Sequence, residues 1–491
     1  MVFSSLIFLF LFLPLVILIY VLLPRRARNY FLLASSLLFY FWGEKYLIWI
    51  LLTTIITDFT CGWLIAGDAA RRGEPLPRNV PRSRYQKLIL IFSLTVNLSL
   101  LAYFKYCNFF VDNTLSFLSA MGWSGPGIFE FTKVALPLGI SFYTFQSMSY
   151  TIDVYRGEVK ASRHFFDFAC YVTMFPQLVA GPIIRYRDLQ DQMDHHELSP
   201  DLFSLGVKRF IIGLSKKVLI ANTIALTADS IFALPPNDLS CHLAWLGVLC
   251  YALQIYYDFS GYSDMAIGLG LMFGFRFPEN FNYPYFSCSV REFWQRWHIS
   301  LSTWFRDYLY IPLGGNRGTA PRVCCNLLTV FFLCGLWHGA SWNFVVWGMF
   351  HGALMMFERL GFGKILSALP RVLQHLYLLL AVLIGWVFFR CESMTAAGHY
   401  LYAMFGLGSA SSCALDAMYY RPVMVIALFA GIVFAMPLIP RLHGLSLRFA
   451  STGPLLTLYN ALVMVTLFLL LALSSLYLTA GAYNPFIYFR F

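Results

Sequence analysis

The amino-acid sequence predicts an all-α integral membrane protein that crosses the bilayer many times. Of its 491 residues, 59% are hydrophobic and only 12% are charged, whereas a soluble chain carries about a quarter charged residues. A water-facing surface has no room for so much apolar material, so most of the exterior faces lipid. The apolar residues form long runs, and Lys and Arg fall in the short segments between them. A net charge of +11 arranged in that way marks basic loops at one membrane face, not a nucleic-acid surface.

The first apolar run, 2–23, is too long for a signal-peptide core and lacks a basic leader and a small-residue cleavage site, so it reads as a retained span. Further spans are expected near 29–42, 45–66, 87–104, 132–152, 165–184, 203–232, 240–259, 262–275, 325–345, 347–360, 371–390, 421–439 and 455–480. Several are shorter than the roughly 20 residues that cross a bilayer, so some are re-entrant or stacked inside the protein. Arg25, Arg26 and Arg28 are separated by two spans from the group Arg71, Arg72, Arg78, Arg82, Arg84 and Lys87. Both groups are therefore expected in the cytoplasm and the N-terminus in the periplasm. The Pro- and Arg-rich segment 67–86 is the clearest linker, and one membrane domain is expected over 1–491, with N-terminal spans to 130, a core at 130–360 and C-terminal spans at 361–491. The eleven Cys are scattered without CxxC spacing and read as small membrane residues.

Segment 276–322 breaks the pattern. It holds Arg276, Arg291, Arg296, Arg306, Arg317 and Arg322 with Glu279, Glu292 and Asp307, among many aromatic residues. A solvated loop has charges without the aromatics, and a lipid-facing helix has the reverse. The mixture predicts a partly buried cytoplasmic or re-entrant segment lining a polar cavity.

Two histidines stand out. His338 lies inside an apolar run, in Trp337-His338-Gly339, and His298 lies in Arg296-Trp297-His298-Ile299-Ser300. An imidazole in hydrocarbon needs a partner or a cavity, and neutral imidazole is the natural general base near pH 7. Gly335, Gly339 and Ala340 are read as clearing space beside His338. His351 lies thirteen residues on, rotated by about 140° on a continuous helix, which makes it a poor site partner. Asp258 and Asp264 are expected to play structural roles, with partners among the Arg residues of 276–306. His195-His196 reads as part of a solvated loop more readily than as a metal site, and no metal site is expected. Trp294, Trp297 and Trp304 are expected to pack around the cavity.

The string from Phe293 to Trp304, continued by Phe305-Arg306-Asp307-Tyr308-Leu309-Tyr310-Ile311-Pro312-Leu313-Gly314-Gly315-Asn316-Arg317, resembles the signature of membrane-bound O-acyltransferases, in the branch that acetylates alginate and other exported polysaccharides. Trp337-His338-Gly339, about forty residues later, matches that family's hallmark histidine. The stretches 137–143, 175–183, 257–264 and 485–491 are also similar. The resemblance implies a ring of roughly 11–14 transmembrane and re-entrant helices around a central tunnel in the bacterial inner membrane, with both histidines near its waist. It further implies acetyl-CoA or another acyl thioester arriving from the cytoplasm as a substrate, no bound cofactor, and a periplasmic acetyltransferase-type partner within a polysaccharide export complex.

Acyl transfer from a thioester to a hydroxyl needs a base for the hydroxyl and a donor for the developing oxyanion. His338 is expected to be the general base, and His298 to orient the acceptor or stabilise the oxyanion. No Cys or Ser sits in a nucleophile context, which favours direct transfer. Arg296, Arg306 and Arg317 are read either as holding the donor's phosphates or, equally well, as anchors at the membrane surface, with Trp337, Asn343 and Asp307 as further donor-site residues. Two alternatives remain at this level: a D-alanyl transfer on the same fold, and a transporter whose histidines line a path. The chain lacks the paired, Gly/Pro-interrupted half repeats of many secondary transporters.

Overall fold

Lipid offers no hydrogen-bond partner to a peptide group, so a chain of this composition satisfies its backbone inside helices. The computed structural model describes residues 2–122, 133–408, 417–438, 440–441, 454–481 and 483–484. These residues are overwhelmingly helical, and an isolated bridge joins Pro75 to Lys160. The chain is a polytopic membrane protein, and six helical stretches among the described residues are long and apolar enough to cross a bilayer. The terminal stretch 485–491 lies outside the described residues.

The N-terminal part comprises α1 (Leu13–Leu22), α2 (Arg25–Glu44), α3 (Ile48–Ala66), α4 (Arg84–Ala120) and α5 (Ile140–Arg156). α4 opens with a capping box in which Ser83 and Gln86 satisfy each other's backbone N–H groups. Two helices, α2 and α3, separate the first two basic groups, as the hydropathy pattern requires. The expected span at 165–184 is different: α6 (Phe165–Thr173) stops before Pro176, a single turn follows at Phe175–Leu178, and the chain is then non-helical to Arg185. This segment is apolar because it is buried in protein, not because it meets lipid.

Helix α7 (Pro200–Ser215) runs through a π-helical turn, Lys216–Ala221, into α8 (Asn222–Phe232). The two spans expected at 240–259 and 262–275 are one helix, α9 (Cys241–Met272), about 48 Å long. Every residue from Cys250 to Met272 is buried, so α9 is a central strut surrounded by protein. Then come α10 (Val290–Arg296), α11 (Ile299–Phe305), α12 (Ala320–His338), α13 (Trp342–Phe357), α14 (Arg371–Arg390), α15 (Met394–Met404), α16 (Pro422–Phe434) and α17 (Pro454–Thr479).

The α7–α9 seam explains why α9 is continuous. A methyl on Gly206 would lie 2.6 Å from the Gly268 carbonyl oxygen, and one on Gly213 would lie 2.6 Å from that of Gly261; the reverse pairs are equally close. The backbones touch at two points seven residues apart, the small-residue packing that membrane helices use. Beside these contacts, Lys217 pairs with Asp258 at 2.6 Å, both side chains 3% exposed. Asp264 takes Arg209 at 2.7 Å and Lys216 at 2.6 Å. The carboxylates' partners therefore come from α7 and its π-turn, not from the Arg residues of 276–306. A second buried carboxylate site joins α3 to α4 and α5, where Asp58 accepts from Ser93 at 2.6 Å, from Asn97 at 2.9 Å and from Ser147.

Segments 67–83 and 157–199, each with short helices, and the residues just after α11 meet on one basic face, through Arg163 to the Arg71 carbonyl, Arg187 to Glu158 and Arg185 to Asp307. His195 is exposed there, but His196 is not the solvated residue expected from its charged neighbours. Its ring is buried, 2.8 Å from the Tyr20 hydroxyl and stacked on Phe275. Burial pushes its pKa down to about 4.

Gly213→Leu is expected to cost at least the roughly 1–3 kcal/mol of an overpacked core, seen as a lower melting temperature of the purified protein or as failure to accumulate. Gly398→Ala on α15, with open space around it, should leave the melting temperature unchanged or higher.

Candidate active site

His338 is the last residue of α12, whose helix ends as Gly339 turns to extended backbone. The imidazole is 4% exposed, and Trp337, Trp347 and Phe389 present their rings to it at centroid distances of 5.0, 5.0 and 5.3 Å. Neither ring nitrogen has a hydrogen-bond partner among the described residues. The small residues nearby do not clear room for a substrate. A side chain on Gly335 would strike the Phe344 carbonyl, and one on Gly339 would strike the Phe344 ring. They let α13 fold back tightly against α12. That hairpin also removes the premise of a continuous helix from His338 to His351. His351 lies on the facing helix, with Trp347 against both rings at 5.0 and 5.2 Å.

His298 joins α10 to α11 in a left-handed conformation, φ 43° and ψ 55°, with its side chain fully buried. Its Nδ1 lies 3.1 Å from Asn280 Oδ1, and Nε2 has no partner among the described residues. Trp337 brings the two histidines into one site, its ring 6.0 Å from His298 and 5.0 Å from His338. Its indole N–H donates to the Ser141 carbonyl at 3.2 Å, which fixes this end of α12 on α5.

Lys105, on α4, completes the arrangement and was not singled out in the sequence reading. Its buried ammonium donates to the Trp337 carbonyl, to the His338 carbonyl at 3.3 Å and to Ser141 Oγ at 3.0 Å. A cation at a helix C-terminus meets the negative end of the dipole and the unpaired last carbonyls. The available signal was an isolated lysine within an apolar run, which membrane burial makes costly unless it has a task.

A cavity of about 890 Å³ runs beside this site. Arg291, Arg306, Arg359 and Lys364 line it along with Glu292 and Glu358, and Leu327, Phe331 and Cys334 line it along α12. Cys334 is one helical turn before His338 and shares its face. The aromatic and charged segment 276–322 thus lines a cavity, as its composition predicts, and Trp294 is in the lining. Trp297 is buried against Phe293 and Trp386, while Trp304 stacks on Phe145 at 3.7 Å.

The other expected donor-site residues divide. Arg306 reaches the cavity but also pairs with Asp307 at 2.7 Å. Arg296 is held by Glu292 at 2.8 Å and bonds the Asn282 carbonyl, and Arg317 is exposed outside the lining. Asp307 is an anchor for Arg185, Arg187 and Arg306. Burial alone would raise its carboxyl pKa, but these guanidinium groups outweigh burial and hold it below the usual value. Asn343 donates to the Cys391 carbonyl at 2.8 Å and ties α13 to the end of α14. Its amide and the Asp307 carboxylate are therefore structural ties outside the cavity lining. Sequence spacing cannot show this, because the Asn343 partner and two of the three Asp307 partners lie 48 or more residues away.

A profile of the membrane-bound O-acyltransferase family matches residues 37–396. A probable alginate O-acetylase of Azotobacter vinelandii is 42% identical over the whole of both chains. A probable alginate O-acetylase of Pseudomonas aeruginosa is 46% identical over 83% of this chain and 76% of its own. A peptidoglycan O-acetyltransferase of Helicobacter pylori is 34% identical over 100% of this chain and 98% of its own. The chain belongs to the membrane-bound O-acyltransferase family and is an acyltransferase.

Replacing Lys105 by Met should leave buried carbonyls without a donor, at about 1–3 kcal/mol each. Melting temperature and acyl transfer are expected to fall together, whereas His338→Ala should lower transfer at an unchanged melting temperature.

Proposed function

We propose that this protein moves an acetyl group from a cytoplasmic thioester, acetyl-CoA or an acyl carrier, to hydroxyls of an exported polysaccharide, with a periplasmic partner protein completing delivery. The observation that carries the reading is the pair of buried histidines with uncommitted ring nitrogens against Trp337, one helical turn above a cavity with a basic mouth. Full-length similarity to polysaccharide O-acetylases supports the acceptor class. By the positive-inside rule the basic face is read as cytoplasmic, which supports an inner-membrane protein with its N-terminus in the periplasm.

His338 acts as general base. It takes the proton of the attacking hydroxyl as its oxygen adds to the thioester carbonyl; the C–S bond then breaks, His338 returns the proton to the sulfur, and the thiol leaves toward the cavity. Membrane lipid surrounds the protein, and at the site each of the two imidazoles keeps an uncommitted ring nitrogen among the described residues. Charge at the mouth comes from Arg291, Arg359 and Lys364, whose cationic groups have no ion pair among the described residues. These three are better placed than Arg296 or Arg317 to bind a donor's phosphates.

His338→Ala at normal protein level should abolish acetylation of the cell's exported polysaccharide. Mass analysis of the released group should find acetate; D-alanine in its place would select the alternative chemistry, and unchanged acetylation would remove His338 from the mechanism. Arg359→Ala with Lys364→Ala is expected to raise the KM for the thioester about tenfold or more while kcat changes little, measured on purified protein with a model acceptor.

A further inference from the structure

We infer that Asn280 is a positioning residue that fixes His298 as the tautomer protonated on Nδ1, so that Nε2 faces the reactants as a hydrogen-bond acceptor. The inference deepens the proposed function and rests on His298 belonging to that site.

The direction of each hydrogen bond can be followed from groups that can only donate. The Ile183 backbone N–H donates to Ser300 Oγ at 3.0 Å, so that hydroxyl directs its own hydrogen elsewhere, to Asn280 Oδ1 at 2.9 Å. The Ser300 backbone N–H also points at Asn280 Oδ1, at 3.2 Å. An N–H cannot accept, so the Asn280 atom facing Ser300 is its carbonyl oxygen and not its NH2. On the other side the Asn280 NH2 donates to Ser263 Oγ of α9 at 3.0 Å, which prevents the amide from turning over. His298 Nδ1 meets the same carbonyl oxygen at 3.1 Å. A lone pair facing a lone pair would repel, so Nδ1 carries the hydrogen and the neutral ring keeps its lone pair on Nε2.

The backbone holds this arrangement in place. The Ile299 N–H donates to the Asn280 carbonyl at 2.9 Å, so Asn280 holds both the ring of the residue whose φ is positive and the peptide that follows it. A left-handed non-glycine residue persists where its surroundings over-determine it. Asn280, Ser263, Ser300 and His298 are all buried, so water does not compete for these bonds. The rings of Phe142, Phe259 and Trp337 enclose His298 without offering Nε2 a partner.

This selects between two roles for His298. A neutral ring with a bare Nε2 cannot donate to a developing oxyanion from that atom. It can accept a hydrogen bond from the hydroxyl-bearing acceptor and so orient it. Asn280 touches no reactant and acts through His298.

The test is nitrogen NMR of the full chain in detergent or nanodiscs with ¹⁵N-histidine, with the His298 signals assigned by their loss in His298→Gln. The expected spectrum at neutral pH has a protonated Nδ1 and a bare Nε2. Asn280→Ala should mix the two tautomers and lower kcat at least tenfold with little change in the thioester KM. Asn280→Asp, which keeps an acceptor oxygen, should restore the Nδ1 proton and most of kcat. A wild-type proton on Nε2, or an alanine variant with an unchanged tautomer, would overturn the inference. Should the alanine variant fail to accumulate, the aspartate variant decides, since a proton moved to Nε2 there would also overturn it. The tautomer is read without turnover, so loss of the proposed acetyl transfer with an intact Nδ1 proton would count against that function and not against Asn280.

Discussion

Carboxylates deep in a lipid-embedded protein persist where a cation or several donors reach them, and the three on α3 and α9 meet that condition through neighbouring helices. Asp258 and Asp264 draw Lys217, Lys216 and Arg209 onto α9. The glycines at 206, 213, 261 and 268 bring α7 close enough for those side chains to reach. Neither feature suffices alone: a wider seam would strand the charges, and a close seam without them would leave the carboxylates unpaired. With α9 held in this way and buried along its length, Ser263 has a fixed position from which to orient Asn280.

The site inverts this habit of commitment. Lys105, Asn280 and Ser300 are paired in a definite direction, while among the described residues both ring nitrogens of His338 and Nε2 of His298 have no partner, as have the indole N–H groups of Trp294 and Trp347 and Nδ1 of His351 nearby. A buried polar atom that forgoes a hydrogen bond costs stability. On the proposed reading, that cost falls on atoms that would meet the reactants. Lys105 shows the division clearly. Its charge goes to the backbone of Trp337 and His338 and to Ser141, which holds the histidine's helix end without occupying the ring.

Much of this was legible in the sequence, and the failures have physical causes. Hydropathy located α2, α3, α14 and α17 closely, because those helices face lipid over long runs. It split α9 because charges paired across a seam look the same in one dimension as charges in a loop. It overextended the span at 165–184 because an apolar residue does not record whether it is covered by lipid or by protein. The two histidines were readable as polar groups in apolar surroundings. Gly335 and Gly339 were misread, since a small residue permits either a cavity or a close helix and only the fold says which. Asn280 carried no local signal at all: its importance lies in partners drawn from two other segments, Ser263 on α9 and His298 with Ser300 at the start of α11.

The single helical turn between Cys334 and His338 is about 6 Å long, and it separates the end of the cavity from the hairpin at 339–341. On the proposed reading, the acyl group passes only this one turn of helix, a distance much shorter than the thickness of a bilayer. A route at that level would also have to exclude water, since a water-filled gap would let ions leak across the membrane. Trp337, wedged among Phe142, Phe145 and the two histidines, supplies bulk at that level. On that reading, its bulk would seal the membrane at the same level at which it packs the two histidines together.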